Sequence, residues 1–382
     1  MSHHKLLFTP GPLTTSDTVK QRMLRDLGSR DAEFLSVVSD IRRRLLALGQ
    51  VANGSYVAVL MQGSGTFAVE SVLSSVIPRN GKLLVAINGA YGHRMAKIAD
   101  VLGISCRTLV FEEATPVRVE RLRHALREDS AITHVGTIHC ETSTGILNPV
   151  AELGRVVSES GRTFIVDAMS SLGGIPINLA ADKIDFLISS ANKCIQGVPG
   201  FAFVLARRDL LQATEGYARS LSLDLLAQWK GLDSDGQFRF TPPTHSILAF
   251  QQALEELDQE GGIEARSARY SANQRQLMQG MNELGFDAFL APEHQSHFIT
   301  SFRFPAHSRF DFPVFYERLS ELGFVIYPGK VSQAKCFRIG TIGHIFPQDV
   351  KALVAAIRRV LEEMQIDSAH TPTCAENNEY AR

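Results

Sequence analysis

Short apolar runs alternate with amphipathic helical patterns through the first half of the chain, and this alternation constrains the fold most. Apolar runs at residues 57–60, 83–87 and 133–138 precede helical patterns at residues 66–76, 92–102 and 149–160. Strands and helices in such alternation predict βα units with a parallel sheet. The runs are apolar throughout, as is typical of strands covered by helices on both faces. The sequence therefore predicts an α/β protein whose mostly parallel sheet is flanked by helices.

A different pattern follows residue 262. A helical pattern at 262–284 leads to an alternating run at 298–304, typical of half-exposed antiparallel strands. A helix near 313–322, strands at 324–327 and 336–340, and a helix at 347–364 follow. We predict four units: an N-terminal loop or arm over residues 1–15, a large domain over 16–262, a small α+β domain over 263–366 and a loose tail over 367–382.

The first helix has a clear start signal. Ser16 or Asp17 can cap it, and a break is expected near Gly28.

Farther along, polar residues stand at or just beyond the ends of predicted strands: Ser64, Asn88, Glu141, Asp167 and Asn192. Ligands of open α/β sheets bind outside the carboxyl ends of the strands. We therefore expect the functional site at this edge.

The sequence Gly63-Ser64-Gly65-Thr66 lies between a predicted strand and a predicted helix. Backbone N–H groups at a helix start, together with two hydroxyls, can hold a phosphate. The purely structural alternative is that this turn only begins a helix. The glycines also match a dinucleotide-binding fingerprint loosely, but the next strand ends in Asn88 instead of the acidic residue that binds ribose.

Two further strand ends carry Asp167 and Lys193. A lysine amine can form a Schiff base with an aldehyde and then act as a general base. A buried carboxylate can keep a pyridine nitrogen protonated. Each residue alone has an ordinary interpretation, a solvated loop lysine and a turn or capping aspartate. Together they are what pyridoxal phosphate chemistry requires, and the small residues around Lys193 leave room for a ring.

Other residues give weaker signals. Arg338, on a predicted strand of the small domain, can clamp a carboxylate or phosphonate, although a surface salt bridge explains it equally well. Tyr91 could lay its ring on a cofactor, but an aromatic at a strand–helix turn is more often ordinary packing. His294 and His297 lack a third ligand, so we expect no metal site.

The composition excludes several classes of function. Thirty-nine basic and 40 acidic residues give a net charge of −1, which favours neither nucleic acid nor an anionic membrane as partner. The five cysteines form no Cys-x-x-Cys pair, which fits reduced thiols. Residues 1–5 lead into only a short apolar patch, and no apolar run approaches the roughly 18 residues of a spanning helix. We expect a cytoplasmic protein.

Seven segments resemble the class V aminotransferases, fold type I pyridoxal phosphate enzymes that include alanine:glyoxylate and serine:pyruvate aminotransferases. The segments are residues 8–15, 62–66, 88–92, 140–145, 167–171, 190–200 and 337–340. The resemblance implies a pyridoxal 5'-phosphate cofactor, transamination of small molecules and a homodimer with shared active sites. Segments 8–15 and 190–200 favour an aminophosphonate as amino donor and pyruvate as acceptor.

The resemblance also implies individual roles. Lys193 and Asp167 are the catalytic pair, which bind the cofactor covalently and through its ring nitrogen. The remaining cofactor contacts implied are Ser64, Gly65 and Thr66 at the phosphate, Tyr91 stacked on the ring, Thr142 near the ring oxygen, Asn192 near the phosphate, and Thr241 reaching the neighbouring subunit's cofactor. Arg338 is expected to bind the substrate's acid group. Ser29-Arg30 departs from the family's frequent His-Arg, so the role of this entrance segment stays open.

Three alternatives remain. Alanine:glyoxylate or serine:pyruvate transamination is open on the same scaffold, because one arginine can bind either acid. Cysteine desulfuration needs a mobile nucleophilic cysteine, and the position of Cys336 inside an apolar run disfavours it. A binding module that uses only the phosphate loop is the non-enzymatic alternative.

Overall fold

The computed structural model describes residues 4–51, 53–367 and 369. Its strands are β1 (Leu6–Leu7), β2 (Tyr56–Gln62), β3 (Lys82–Ile87), β4 (Ser105–Val110), β5 (His134–Ile138), β6 (Cys140–Glu141), β7 (Ile146–Leu147), β8 (Thr163–Asp167), β9 (Phe186–Ser190), β10 (Phe201–Arg207), β11 (Ile299–Arg303), β12 (Phe324–Val325), β13 (Tyr327–Pro328) and β14 (Cys336–Gly340).

The helices alternate with these strands through much of the chain. They are α1 (Asp17–Arg22), α2 (Ala32–Leu48), α3 (Gly65–Val76), α4 (Ala90–Val101), α5 (Val119–Glu128), α6 (Val150–Glu159), α7 (Arg208–Gln212), α8 (Leu225–Ser234), α9 (Thr244–Glu260), α10 (Gly262–Glu283), α11 (Phe312–Glu321) and α12 (Pro347–Glu363). A 3₁₀ turn covers Pro292–His294. The described ranges contain no helix that is long and apolar enough to cross a membrane.

The central sheet has seven strands in the order β2-β10-β9-β8-β5-β3-β4. Strands β9, β8, β5, β3 and β4 are parallel to one another. Strand β10 runs antiparallel to both β2 and β9, so β2 shares the direction of the parallel strands. In this register Asp167 is paired with Ile138 on one side and Ile188 on the other. The carboxyl ends of the parallel strands therefore meet at one edge.

The apolar runs form the buried interior of this sheet. Strands β5 and β9 are buried along their whole length, and β2 is buried up to its last residue, Gln62. Such continuous burial is expected when helices cover both faces. The predicted βα units are confirmed as β2–α3, β3–α4 and β5–α6, and the α/β class with a mostly parallel sheet is confirmed with them.

The C-terminal region has an antiparallel sheet of order β11-β14-β13, in which Arg338 on β14 lies opposite Ser301 and Tyr327. The prediction of one strand over residues 324–327 is wrong, because β12 and β13 belong to different sheets. Ile326, between them, is fully buried, and the chain changes pairing partner at this point. Strand β12 pairs in parallel with β1, so the expected N-terminal loop contains a strand.

Buried apolar side chains form one large cluster around the central sheet and a second in the C-terminal region, which Phe8 of the N-terminal segment joins. Helices α9 and α10 meet at Gly261 and Gly262, whose φ angles are 108° and 79°. The domain boundary at residue 262 stays a prediction. The tail predicted over 367–382 lies outside the described residues except for Asp367 and Ala369.

The first helix begins as expected. Ser16 is the N-cap of α1, and its Oγ accepts a hydrogen bond of 3.1 Å from the N–H of Val19. Helix α1 ends at Arg22 and α2 begins at Ala32, so the break near Gly28 is confirmed.

Candidate active site

Lys193 lies in a turn directly after β9, at the carboxyl edge of the central sheet. Its Nζ donates a hydrogen bond of 2.7 Å to the main-chain oxygen of Pro10, in the N-terminal segment. A Cβ at Gly11 would lie 2.8 Å from this Nζ, so the close approach requires glycine. Burial lowers the pKa of Lys193, although Tyr91 and Asp167 oppose the shift. A buried amine with a lowered pKa is more available as a nucleophile and base.

Asp167 ends strand β8 and is only 7% exposed. Its Oδ1 accepts a hydrogen bond of 3.0 Å from the N–H of Met169, and no donor among the described residues bonds to its Oδ2. Burial raises the pKa of Asp167 to about 6, with a further contribution from Glu141, while Lys193 opposes the shift. The carboxylate thus has an acceptor to offer to a ligand.

Ser64 stands at the N-cap of α3, and its side chain makes no capping hydrogen bond. The first N–H groups of a helix have no intrahelical partner, and those of Gly65 and Thr66 have none elsewhere in the described ranges. A Cβ on Gly65 would lie 1.9 Å from the Sδ of Met169, so a larger residue there would displace the Met169 side chain. Arg94 Nη1 donates to Thr66 Oγ1 at 3.2 Å. These donors form a site suited to a phosphate.

Tyr91 is half-buried near the start of α4, among cations. The Arg94 guanidinium lies 4.8 Å from the centre of its ring, and Lys330 Nζ lies 5.4 Å from it. Burial alone would raise the pKa of Tyr91, but Lys193, Lys330 and Arg338, with a hydrogen bond from Thr142, lower it. Several positively charged side chains therefore lie near this ring. Its stacking on a cofactor stays a prediction.

Arg338 lies on the central strand of the C-terminal sheet and is 2% exposed, so it is not a surface salt-bridge residue. Its Nε donates to the carbonyl of Pro328 at 3.0 Å, and its Nη1 donates to the carbonyl of Thr142 at 2.9 Å. Burial lowers the pKa of Arg338, which Tyr91 opposes. Because a guanidinium carries five N–H groups, the Nη end retains donors for an acid group.

Glu141 is fully buried beneath these residues, and no role follows for it from the sequence beyond its place at a strand end. One carboxylate oxygen accepts from the N–H groups of Tyr91 and Gly92, at 3.1 and 3.3 Å. The other accepts from the N–H and hydroxyl of Ser143, at 3.2 and 2.7 Å. Burial raises the pKa of Glu141, and these hydrogen bonds oppose the shift. Glu141 therefore ties the start of α4 to the loop that carries Thr142.

Asn192 is half-buried beside Lys193, and the nearby Ser190 has a buried hydroxyl oxygen without a hydrogen-bond partner. Thr241 is exposed, and its carbonyl lies 3.5 Å from the Gln62 side-chain nitrogen, next to the phosphate-binding turn. Thr241 also lines a cavity of about 380 Å³ with Ser29 and Arg30. The entrance segment and Thr241 are thus neighbours.

The structure brings the predicted residues of the strand ends together with Arg338, but it adds Glu141, Arg94 and Lys330. A faint signal existed for Glu141, because it follows a strand and stands in one of the resembling segments. Arg94 and Lys330 are exposed and stand among many such residues, so only the fold reveals that they meet at Tyr91.

The residues present fit pyridoxal phosphate. That molecule needs an amine for its aldehyde, an acceptor for its ring nitrogen and donors for its phosphate. Lys193, the free Oδ2 of Asp167 and the free N–H groups of Gly65 and Thr66 offer these functions at one edge of the sheet. Among the described residues, no group of three His, Cys, Asp or Glu side chains is placed to hold a metal ion.

Similarity to known proteins identifies the family. The family model Aminotransferase class-V matches residues 17–318, and the chain belongs to the class V aminotransferase family. Among solved structures, an alanine–glyoxylate aminotransferase from Nostoc sp. is similar, with a TM-score of 0.87 and 26% identity, covering 94% of this chain and 96% of that one.

Two relatives are more similar in sequence. A 2-aminoethylphosphonate–pyruvate transaminase of Syntrophobacter fumaroxidans is 55% identical over 354 residues, which cover 92% of this chain and 95% of the relative. The protein of the same name from Vibrio cholerae is 51% identical over 363 residues, covering 94% of this chain and 99% of the relative.

Proposed function

We propose that this protein is a pyridoxal phosphate-dependent transaminase that moves the amino group of 2-aminoethylphosphonate to pyruvate. The products are phosphonoacetaldehyde and L-alanine, and the reaction serves phosphonate degradation. Relatives of that name at 51–55% identity support this substrate pair. The observation that carries the proposal is the position of the Lys193 amine at the sheet edge, near enough to the carboxylate of Asp167 and the guanidinium of Arg338 for both charges to influence its pKa.

The cofactor would be held by the residues of the sheet edge. Lys193 would bind it covalently, Asp167 would accept a hydrogen bond from its protonated ring nitrogen, and Ser64, Gly65 and Thr66 would donate to its phosphate. The further contacts proposed are Tyr91, Thr142, Asn192 and, from the neighbouring subunit, Thr241. Pyridoxal phosphate, when bound, supplies an electron sink for charge that develops on the substrate carbon.

Lys193 is the proposed proton carrier. Its lowered pKa increases the neutral fraction of the amine, which can take a proton from the carbon that bears the substrate's amino group. The carbonyl of Pro10 bonds to the same Nζ and thereby orients the amine. Asp167, ionised above a pKa of about 6, keeps a negative charge where the protonated ring nitrogen would lie.

Arg338 is the proposed binding group for the substrate's acid. The carbonyls of Pro328 and Thr142 fix its Nε and Nη1, so the free Nη donors have a defined direction. A fork of this kind binds phosphonate and carboxylate oxygens alike. It therefore serves both the amino donor and pyruvate, which must use the site in turn.

Alanine:glyoxylate or serine:pyruvate transamination is the second candidate, because the Nostoc alanine–glyoxylate aminotransferase shares the fold. A panel of amino donors and acceptors, each with its kcat/KM, separates the two. We expect 2-aminoethylphosphonate with pyruvate to give the highest value. Equal or better use of serine or alanine with glyoxylate would reverse the assignment.

We also propose a homodimer with shared active sites. Supporting it are exposed apolar side chains beside the phosphate-binding turn: Phe67 and Phe240 are 53% and 44% exposed and line a cavity of about 340 Å³ with Thr241. A third exposed apolar side chain is Leu221, which is 76% exposed. Light scattering coupled to size exclusion should give twice the chain mass, and Phe240→Asp should shift it towards the monomer.

A cytoplasmic location is proposed from the thiols. Cys106, Cys140, Cys194 and Cys336 form no disulfide in the structure. Free buried cysteines are typical of reducing compartments. Cell fractionation of the native host tests this proposal.

The decisive experiment for the activity is direct. Purified protein with pyridoxal phosphate, 2-aminoethylphosphonate and pyruvate should form alanine and phosphonoacetaldehyde in equal amounts. Protein that gives no visible absorbance with pyridoxal phosphate and forms no alanine would refute the proposal and leave a binding module as the alternative.

A further inference from the structure

Two cations of the C-terminal region approach the same tyrosine. Arg338, on β14, and Lys330, in the loop between β13 and β14, both lower the pKa of Tyr91, after Lys193 and Thr142. Lys330 Nζ is 5.4 Å from the centre of the Tyr91 ring. Tyr327 of β13 pairs with Arg338, so the loop leaves the sheet beside the guanidinium. The two positive charges therefore face one region of the site.

Lys330 has no evident structural task. Its side chain is exposed, and no Asp or Glu of the described ranges lies within 4.0 Å of its Nζ. A lysine that only improves solubility needs no fixed neighbour. Lys330, in contrast, lies over the ring of Tyr91, near Arg338, which is proposed to bind the substrate's acid group. Its charge is available to a ligand.

The two proposed substrates differ in their acid groups. A carboxylate carries one negative charge on two oxygens, whereas a phosphonate has three oxygens and, once its second proton is lost, two negative charges. The free end of Arg338 matches two oxygens and one charge. One oxygen and one charge of a phosphonate dianion would remain without a partner from Arg338.

We propose that Lys330 supplies this second positive charge and so determines the preference for a phosphonate amino donor. The inference rests on the proposed function and deepens it. The carboxylate of pyruvate, which needs only Arg338, is handled without Lys330. The two halves of one catalytic cycle therefore differ in their dependence on this lysine.

The test compares Lys330→Gln with Lys335→Gln, which removes the same charge from the same loop. Each half-reaction is measured separately in single turnover. Lys330→Gln should lower the second-order rate constant with 2-aminoethylphosphonate about tenfold or more, as expected for loss of a charged hydrogen bond, and change that with pyruvate less than twofold. Lys335→Gln should leave both unchanged, and Lys330→Arg should restore most of the loss.

Inert probes give a readout that does not depend on turnover. Ethylphosphonate and propionate carry the two acid groups without an amine, and their dissociation constants can be measured by calorimetry at a pH at which the phosphonate is a dianion. Lys330→Gln should weaken ethylphosphonate binding about tenfold while leaving propionate binding within twofold. A melting curve matched to wild type excludes a folding defect as the cause.

The outcomes separate the two proposals. Wild-type protein that does not convert 2-aminoethylphosphonate overturns the proposed function, and the role of Lys330 with it. Active wild type with Lys330→Gln equal to Lys335→Gln, or with both acid groups weakened alike, overturns only the assignment of Lys330. A selective loss for phosphonates that Lys330→Arg repairs supports it.

Discussion

Two buried aspartates lie at opposite edges of the central sheet, and their surroundings differ. Asp185, just before β9, accepts from the N–H of Phe164 at 2.8 Å and from Arg207 Nη1 at 3.0 Å. Asp167, at the end of β8, accepts only from the N–H of Met169 among the described residues. Burial raises the pKa of both carboxyl groups. For Asp167, to which no arginine of the described residues is hydrogen-bonded, the pKa rises to about 6.

The difference separates a structural carboxylate from a functional one. Buried polar groups are normally satisfied, so a free acceptor at an otherwise well-packed position indicates a ligand. A cavity of about 470 Å³ opens beside Asp185, but there the aspartate and Arg207 are already paired. A cavity alone therefore does not identify the functional edge.

The largest effect expected is that of Lys193→Ala, which removes the amine at the functional edge. Transaminase activity should fall by about 10³-fold or more, because both the covalent attachment and the proton carrier are lost. The visible absorbance of bound pyridoxal phosphate should change as well. Lys183→Ala, at the opposite edge, is the control and should keep wild-type activity. A Lys193→Ala variant with the wild-type rate would contradict the proposed role.

Asp167→Asn and Asp185→Asn test the comparison directly. Asp167→Asn should cost about 10²-fold in activity, yet raise the melting temperature of the cofactor-free protein at pH 7.5 by a few degrees. The reason is that the pKa of Asp167 is raised to about 6, so its ionised form is destabilising, on the order of 2–3 kcal/mol. The gain should shrink as the pH falls through about 6 and disappear below the pKa of an unfolded aspartate, about 3.9, where the carboxyl is protonated in both the folded and unfolded states.

Asp185→Asn should have a smaller effect. Arg207 keeps its two hydrogen bonds to Asp209, so the free energy of unfolding should change by about 1 kcal/mol or less, while activity stays within twofold. Activity assays and calorimetry on both variants provide the check. Equal losses of activity in the two variants would remove the distinction between the edges.

Arg338→Lys should raise KM for both the amino donor and pyruvate about tenfold or more, with a smaller change in kcat. A lysine ammonium cannot bond the carbonyls of Pro328 and Thr142 and still offer a planar fork to the acid. Arg207→Lys, at the structural edge, is the matched control and should leave both KM values unchanged. If the two substitutions have the same effect, Arg338 does not bind substrate.

Glu141→Gln tests the comparison further, because both carboxylate oxygens of Glu141 are hydrogen-bonded although the residue lies at the functional edge. An amide nitrogen in place of either oxygen would face two donors, so the substitution should destabilise the protein by about 2 kcal/mol. Activity should fall about tenfold, because Tyr91 and Thr142 lose their common anchor. Ser143→Ala removes one donor and should show smaller losses of both. Unchanged KM and kcat in a destabilised Glu141→Gln would make the residue purely structural.

Much of the fold could be predicted because its signals are local. Continuous apolar runs such as that of β5 predict strands directly, and Ser16 indicates the start of α1. Strand β10 was not predicted, because its apolar sequence does not reveal that it returns antiparallel between β2 and β9. The division of residues 324–327 into two strands depends on β1, from the other end of the chain.

The site follows the same rule. Lys193 and Asp167 carry rare chemistry at strand ends, which the sequence shows. The position of Arg338 against Thr142, and that of Lys330 over Tyr91, arise from the packing of the C-terminal region against the sheet edge. No local pattern encodes such contacts between distant segments.

The pairing of β1 with β12 has a consequence for biosynthesis. Leu6 and Leu7 leave the ribosome long before their partners Phe324 and Val325, which lie far downstream in the sequence. Because Pro10 follows β1 closely, its contact with Lys193 should form late. A nascent chain that has not reached β12 would thus carry the lysine without its neighbour in place, so the amine is positioned only after β12 has been made.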